Sequence, residues 1–142
     1  MTSAPHSPAA PMQRCDILII GAGPAGMAAA LAAAPSGASI VLVDDNPAPG
    51  GQIWRDGPGA HLPPQARMHR ERLAGAANVR VLTGTRVVGL GHGAPPGDAP
   101  ALLLEDGEHG WTQHCGRLIL CTGARELLLP FPGWTLPGVT GA

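Results

Sequence analysis

The 142-residue sequence predicts an α/β fold, and three features carry that prediction. A short apolar run at residues 17–20 leads through three glycines into an Ala- and Leu-rich segment, the order expected for strand, tight turn and helix. A second apolar run at residues 39–43 ends in an acidic residue. Further short apolar runs lie between residues 79 and 121, separated by turn residues. Strands that alternate with helices favour a central parallel sheet.

The first predicted strand, residues 17–20, is wholly apolar and mostly β-branched, which is typical of a parallel strand buried on both faces. A helix is expected directly after it, because Pro24 suits a first helical turn and residues 27–34 have high helix propensity. Residues 39–43 form the second strand. Residues 16–44 therefore predict a βαβ unit with a right-handed crossover.

Three glycines stand between the first strand and the helix in the spacing G-x-G-x-x-G. Gly21 permits a tight turn, Gly23 lets the backbone approach a pyrophosphate, and Gly26 lets helix and strand pack closely. The N–H groups and the positive dipole end of the helix would then face the phosphates. The motif indicates a dinucleotide site, but it is weak evidence when it stands alone.

An acidic residue and a glycine pair strengthen this interpretation. Asp44 ends the second strand, where its carboxylate can accept hydrogen bonds from ribose hydroxyls. Asp44 and Asp45 together would repel a 2′-phosphate, so NADP is disfavoured. Gly50 and Gly51 follow Asp44 after five residues, a spacing that resembles flavoproteins rather than simple NAD dehydrogenases. The sequence therefore predicts a Rossmann-like FAD-binding domain, with another dinucleotide or chance glycines as the alternatives.

Residues 45–64 form a Gly- and Pro-rich loop, and a loop of this length is usually functional or disordered. Within it, the backbone of the Gly50-Gly51 pair is expected near the flavin. Gln52 would reach the ring system, and Trp54 with Arg55 would close the pocket. The alternative is that Trp54 is a hydrophobic plug and Arg55 a solvated charge.

A second helix is expected from about residue 64 to residues 75–78. Its apolar face includes His69, which is expected to pack rather than to catalyse. Four charged residues are expected to lie mostly on the opposite face in contact with solvent: Arg67, Arg70, Glu71 and Arg72.

The remaining predicted strands are short, apolar segments at 79–82, 83–90, 101–105, 111–114 and 117–121. Asp106-Gly107 between two of them is a good hairpin signal, so an antiparallel meander is expected in the place of a second crossover helix. The last strand ends at Thr122-Gly123. A glycine there would let the backbone turn near a ligand at the carboxyl edge of the sheet.

The two ends of the chain differ from the predicted domain in composition. Residues 1–14 are mostly Ala, Pro and Ser and predict a disordered lead. Residues 127–142 are apolar and broken by prolines, as expected of a linker toward a missing second domain. The FAD-binding domain is therefore assigned to residues 15–126 and is expected to be incomplete at its C-terminus.

Composition excludes several kinds of partner. The net charge is −1 and the arginines are scattered, so nucleic acid is not an expected ligand. Residues 17–34 carry no charge, but three glycines and a proline interrupt them, so neither a membrane span nor a signal peptide is predicted and a cytoplasmic protein is expected. The three cysteines and six histidines lack metal-ligand spacing, and no metal site is predicted.

Several motifs resemble a known family. The segment 21–26, Asp44 with Gly50-Gly51, and Leu-Ile-Leu-Cys-Thr-Gly-Ala-Arg-Glu at 118–126 resemble the FAD-binding half of the pyridine nucleotide-disulfide oxidoreductase-like flavoproteins. More closely, residues 45–55 and 129–139 resemble the large FAD subunits of opine oxidase, hydrogen cyanide synthase and hydroxyproline dehydrogenase.

The resemblance implies oxidation of an amine or imino acid C–N bond, with hydride passing to the flavin and electrons leaving through partner subunits. It implies that residues 21–26 contact the pyrophosphate and that Asp44 contacts the adenosine ribose. It also implies that the backbone of Val87 lies near the adenine and that Gly51 and Gln52 lie near the flavin. The cofactor residues carried over by position are Gly21, Gly23, Pro24, Ala25, Gly26, Asp44, Asp45, Gly50, Gly51, Gln52, Val87, Thr122 and Gly123. Arg55 and Arg125 are candidate partners of a substrate carboxylate or of the flavin, and no catalytic acid or base is nominated.

The sequence departs from the disulfide reductases, which carry a redox cysteine pair shortly after Gly-Gly. Residues 52–55 are Gln-Ile-Trp-Arg instead, so thiol-disulfide chemistry is disfavoured. The resemblance also implies a second nucleotide-binding-like domain beyond this sequence, so the chain by itself is expected to bind FAD weakly, if at all. Two alternatives stay open, namely an NAD(P)H-dependent flavin electron-transfer reductase and a truncated, non-catalytic flavoprotein module.

Overall fold

The computed structural model describes residues 12–55, 61–124, 131–133 and 135–138. The predictions for Arg125 and for most of the apolar linker lie outside these ranges. In chain order the described elements are β1 (Met12–Ile20), α1 (Pro24–Ala33), a 3₁₀ turn (Ala34–Ser36), β2 (Ile40–Val43), α2 (Pro64–Gly75), β3 (Val79–Leu82), β4 (Arg86–Leu90), β5 (Leu102–Glu105) and β6 (Gly110–Leu120).

All six strands belong to one sheet, in the order β3-β2-β1-β6-β5-β4. The pairs β1–β2, β1–β6 and β2–β3 are parallel, whereas β4–β5 and β5–β6 are antiparallel. The predicted α/β class, with a central parallel sheet and an antiparallel meander, is therefore confirmed. The meander continues the parallel sheet through β6 rather than forming a separate layer.

Two buried clusters cover the two faces of the sheet. The helix-side cluster joins Met27 and Ala30 of α1 and Leu73 of α2 to Ile19, Ile40 and Leu42 of the parallel strands. The meander-side cluster joins apolar residues of β1 and β2 to those of β5 and β6, namely Cys15, Leu18, Val41, Val43, Leu102, Leu104, Trp111 and Cys115. Both helices therefore pack on one face, and the buried side chains of the opposite face come from strands of the sheet itself, namely β1, β2, β5 and β6.

Strand β1 starts earlier than the apolar run 17–20 predicts. Residues 12–15 already pair with β6, from Met12 opposite Thr112 to Cys15 opposite Cys115. The predicted disordered lead is therefore wrong at residues 12–14, and residues 1–11 lie outside the described ranges. The reason is that this first part of β1 obtains its order from hydrogen bonds to a distant strand, which local composition does not reveal.

Strand β6 is continuous from Gly110 to Leu120, although the sequence predicts separate strands at 111–114 and 117–121. Residues 110–113 pair with β5, and residues 112–120 pair with β1. Trp111 and Cys115 belong to the meander-side cluster, and Leu118 packs against it, so the alternation of buried positions shifts by one near Gly116. That shift breaks the period of two on which strand prediction depends.

The uncharged stretch 17–34 divides between β1, the glycine turn and α1. Among the described residues, neither helix has the length and apolar character needed to cross a membrane.

Candidate functional site

The carboxyl ends of β1, β2 and β6 meet at one edge of the sheet. Gly21 N–H donates to Val43 O at 2.7 Å, and Cys121 N–H donates to Ile20 O at 2.7 Å. Residues that follow neighbouring parallel strands are thereby brought together, which is where open α/β sheets bind ligands. The predicted segments at 21–26, 44–45 and 122–123 therefore share this edge.

Two of the three motif glycines are required by the protein's own packing. Gly21 has a φ of 100°, and a Cβ there would lie 2.2 Å from Cys121 O. A Cβ at Gly26 would lie 1.7 Å from Gly21 O. These approaches agree with the predicted roles of a tight turn and of close packing between helix and strand.

Gly23 differs from the other two. It is the N-cap of α1, with φ −70° and ψ −176°, a conformation open to any residue, and no side chain caps the helix. A Cβ at Gly23 would meet only Gly51 Cα, at 3.9 Å. The first-turn N–H groups of α1 have no acceptor within the helix. The described protein therefore leaves space and donors in front of Gly23, as a phosphate group requires.

The Gly50-Gly51 turn, residues 50–51, packs directly on the motif loop. Gly50 N–H donates to Ala22 O at 2.8 Å, and a Cβ at Gly51 would lie 3.0 Å from Gly23 Cα. A Cβ at Gly50 would lie 2.0 Å from Trp54 O. The close approach that demands glycine here is made by protein backbone, not only by a ligand as the sequence interpretation assumed.

Asp44 is 6% exposed and its carboxylate holds the motif loop. Its Oδ2 accepts the N–H of Ala22 at 2.5 Å, while Oδ1 accepts Asn46 N–H at 2.9 Å and Asn46 Nδ2 at 2.7 Å. Sequence reasoning missed this structural task, and it missed Asn46. An Asp followed two residues later by Asn is the available signal, since Asp side chains often accept the N–H two residues on. Asp45 is exposed and accepts Asn46 Nδ2 at 3.2 Å.

The remaining predicted residues lie at different distances from the motif loop. A Cβ at Gly21 would be 3.3 Å from Thr122 Cα, so Thr122 adjoins the loop, and Gly123 follows with a φ of 72°. Val87 instead lies on the edge strand β4, opposite Leu104. The chain contacts the end of β2 two residues before Val87, where Thr85 N–H donates to Asp44 O at 3.0 Å.

The loop after Gly51 is held by α2. The Trp54 ring is half-buried beside the helix-side cluster, and its centroid lies 5.2 Å from that of His69. Arg70 Nη2 donates to Pro49 O and, at 3.5 Å, to Trp54 O. The prediction that Arg70 is simply solvated is therefore wrong. These contacts favour the interpretation of Trp54 as a hydrophobic plug. Arg55 is exposed and donates to Gln52 Oε1, so the two exposed side chains form a pair.

The two buried cysteines, Cys15 and Cys115, are poor nucleophiles. Cys15 and Cys115 are buried and all three cysteines are free thiols. Burial raises the pKa of Cys15 to about 11, with a smaller contribution from neighbouring Cys115, and burial also raises the pKa of Cys115. Within the described ranges, no group of three His, Cys, Asp or Glu residues is arranged to hold a metal ion.

Comparison with known proteins gives consistent matches. The family described as "Pyridine nucleotide-disulphide oxidoreductase" matches residues 15–141. An opine oxidase subunit of Rhizobium meliloti is 38% identical over 135 residues, which is 91% of this chain and 29% of that protein. The hydrogen cyanide synthase subunit HcnB of Pseudomonas aeruginosa is 35% identical over 133 residues, which is 86% of this chain and 27% of that protein.

Among solved structures, L-proline dehydrogenase from P. horikoshii has a TM-score of 0.64 and 23% identity, and the match covers 84% of this chain and 25% of that one. That likeness shows the fold. The two relatives confirm the predicted resemblance to opine oxidase and hydrogen cyanide synthase, and both are named as subunits. The chain spans less than a third of the length of these proteins.

Proposed function

The chain belongs to the pyridine nucleotide-disulphide oxidoreductase family of FAD-dependent enzymes, and we propose that it supplies the dinucleotide-binding part of a flavoenzyme that oxidises a C–N bond. One observation carries the FAD part of this proposal. Gly23 stands at the uncapped N-terminus of α1, and apart from its neighbours in the chain the nearest described atom to the position of a Cβ is Gly51 Cα, at 3.9 Å. The free protein does not need glycine there, whereas a pyrophosphate that approaches the backbone does.

The pyrophosphate is proposed to lie against residues 21–26. Gly21 and Gly26 shape this loop through their own close contacts, and Pro24 starts α1 without needing an N–H acceptor. The N–H groups of Gly23, Ala25 and Gly26 are then the donors for phosphate oxygens. The positive end of the helix adds an attraction of roughly 0.3–2 kcal/mol.

Asp44 is proposed to bind the adenosine ribose in addition to holding the loop. An ionised carboxylate offers about four acceptor positions. Three are occupied by Ala22 N–H, Asn46 N–H and Asn46 Nδ2, which leaves one on Oδ2 for a ribose hydroxyl. Asp45 is exposed beside it and would repel a 2′-phosphate, as the preference for FAD over NADP requires.

The other cofactor contacts are proposed from position in the fold. Gly51 lies against Gly23 and Thr122 adjoins Gly21, and Gln52 and Gly123 are the residues that follow them in the chain. Direct contacts with the motif loop support the glycine turn and Thr122 in this role. The backbone of Val87 is proposed to face the adenine. This proposal is supported by the hydrogen bond from Thr85 N–H, two residues before Val87, to Asp44 O.

The substrate is proposed to be an amine or imino acid. Support comes from the likeness to opine oxidase and hydrogen cyanide synthase subunits. Bound FAD would supply the redox chemistry by accepting a hydride from the carbon next to the substrate nitrogen. Partner subunits that carry the electrons onward are part of the same proposal, because both relatives are named as subunits. The cytoplasmic location stays a prediction.

Gly23→Ala tests the FAD assignment. Stability should not change, because the added methyl group makes only an ordinary van der Waals contact, but FAD affinity should fall roughly tenfold or more through loss of the close approach. Binding is measured by equilibrium dialysis with flavin absorbance, and stability by urea unfolding. Gly75→Ala, in α2 with open space around its Cβ, is the control. Equal FAD affinity of wild type and Gly23→Ala contradicts the proposal.

A further inference from the structure

We propose that Arg70 is the positioning residue of the Gly50-Gly51 turn, holding it against the motif loop and thereby setting the affinity for FAD. This inference rests on the proposed FAD function. Arg70 reaches its targets from α2, a helix that contributes none of the predicted cofactor residues.

The guanidinium of Arg70 spans the turn. Its Nη2 donates to Pro49 O, which precedes the turn. The same nitrogen donates at 3.5 Å to Trp54 O, which follows the turn. A Cβ on Gly50 would come within 3.2 Å of the same nitrogen. The guanidinium therefore lies inside the segment 49–54 and holds both of its ends. Charge-assisted hydrogen bonds of this kind are stronger than those between neutral groups.

A second contact from the same helix acts on the same segment. His69, the residue before Arg70, places its ring 5.2 Å from the ring of Trp54. Its Nδ1 lies 2.8 Å from Gln65 O, which orients the imidazole from the preceding turn of α2. His69 therefore contacts the side chain of Trp54, and Arg70 contacts backbone carbonyl groups of the same segment.

The turn transmits this restraint to the proposed cofactor loop. Gly50 N–H donates to Ala22 O at 2.8 Å, and Gly51 lies against Gly23, the residue whose missing Cβ leaves room for the pyrophosphate. A turn that moves by the length of one hydrogen bond would either fill the space in front of Gly23 or leave the loop unsupported. Arg70 therefore acts on FAD binding without touching FAD.

The test uses Arg70→Ala, with Arg72→Ala as the control because Arg72 is an exposed arginine of the same helix. Amide hydrogen exchange of Gly50 and Trp54 is expected to rise roughly tenfold in Arg70→Ala, while exchange in β1 and β2 stays unchanged. The FAD dissociation constant is expected to rise roughly tenfold as well. Arg72→Ala should change neither quantity by more than about twofold.

Arg70→Lys keeps the positive charge on a shorter side chain and should recover part of the affinity, which also keeps the test usable if Arg70→Ala does not fold. Unchanged exchange at Gly50 and Trp54 in a folded Arg70 variant overturns the inference. Raised exchange with unchanged FAD affinity overturns it too. If wild type binds no FAD, this chain by itself is not a functional cofactor site, and the exchange measurement still decides whether Arg70 holds the turn.

Discussion

Replacement of Gly26 by alanine tests the packing at the start of α1. The added Cβ would lie 1.7 Å from Gly21 O, whereas real Cβ atoms essentially never approach within 3.0 Å of such a neighbour. The carbonyl cannot easily retreat, because it shares a planar peptide unit with Ala22 N–H, which donates to Asp44 Oδ2 at 2.5 Å. Helix and loop must therefore separate before the methyl group can fit.

The expected loss combines two opposing effects. Overpacking of this kind costs about 1–3 kcal/mol, and a backbone neighbour places Gly26→Ala at the upper end of that range. Alanine recovers about 1 kcal/mol through its higher helix propensity. The net loss is about 2 kcal/mol, which corresponds to a midpoint of thermal unfolding roughly 5 °C lower.

Gly75→Ala provides the matched comparison. Gly75 also lies in a helix, and a Cβ there would have nothing within 4 Å. It should therefore gain up to about 1 kcal/mol from propensity alone. Both variants are compared with wild type by urea and thermal unfolding, followed by circular dichroism. If Gly26→Ala is as stable as wild type, the close contact between α1 and the glycine turn is not what selects glycine at this position.

Two further predictions concern buried polar groups. Asp44→Asn replaces one of the two acceptor oxygens, each of which faces N–H donors, by an NH₂ group, and should lower the free energy of unfolding in urea by about 2–4 kcal/mol. The exposed control Asp45→Asn should change it by less than about 0.5 kcal/mol. Equal effects of the two substitutions would contradict the role of Asp44 in holding the loop. The raised pKa of Cys15, about 11 against an ordinary 9.0, means that the folded state keeps a proton that the unfolded state loses, so stability is fully present below pH 9 and should fall by on the order of 2 kcal/mol between pH 9 and 11. Urea midpoints over this range should decline less in Cys15→Ala, and an identical decline would refute the assignment.

Local patterns were sufficient to predict the βαβ unit. Continuous apolar runs, a proline at the first helical position and an Ala-rich segment are signals contained within a few residues, and both β2 and α1 lie where these signals place them. The glycine spacing likewise predicted which segments meet at the sheet edge. Its chemical reasons are local as well, since a turn and a close contact are needed within six residues.

The errors arose where order depends on distant partners. Residues 12–14 contain nothing that favours a strand by themselves, yet they pair with residues on β6. Arg70 has the same local sequence context as the exposed Arg67 and Arg72, and only the tertiary placement of segment 49–54 distinguishes it. The second task of Asp44 was missed because an acid at a strand end was interpreted only through its ligand.

The two ends of segment 44–50 are fastened to a single residue. Ala22 donates its N–H to Asp44 Oδ2, and its carbonyl oxygen accepts the N–H of Gly50. The five residues between Asp44 and Gly50 therefore join two residues that are both hydrogen-bonded to Ala22, and this fixes the length of the segment. One residue more or fewer between Asp44 and Gly50 would break one of these two hydrogen bonds to Ala22. The spacing that first indicated a flavoprotein is thus also required by the hydrogen bonds that the protein makes to its own backbone at Ala22.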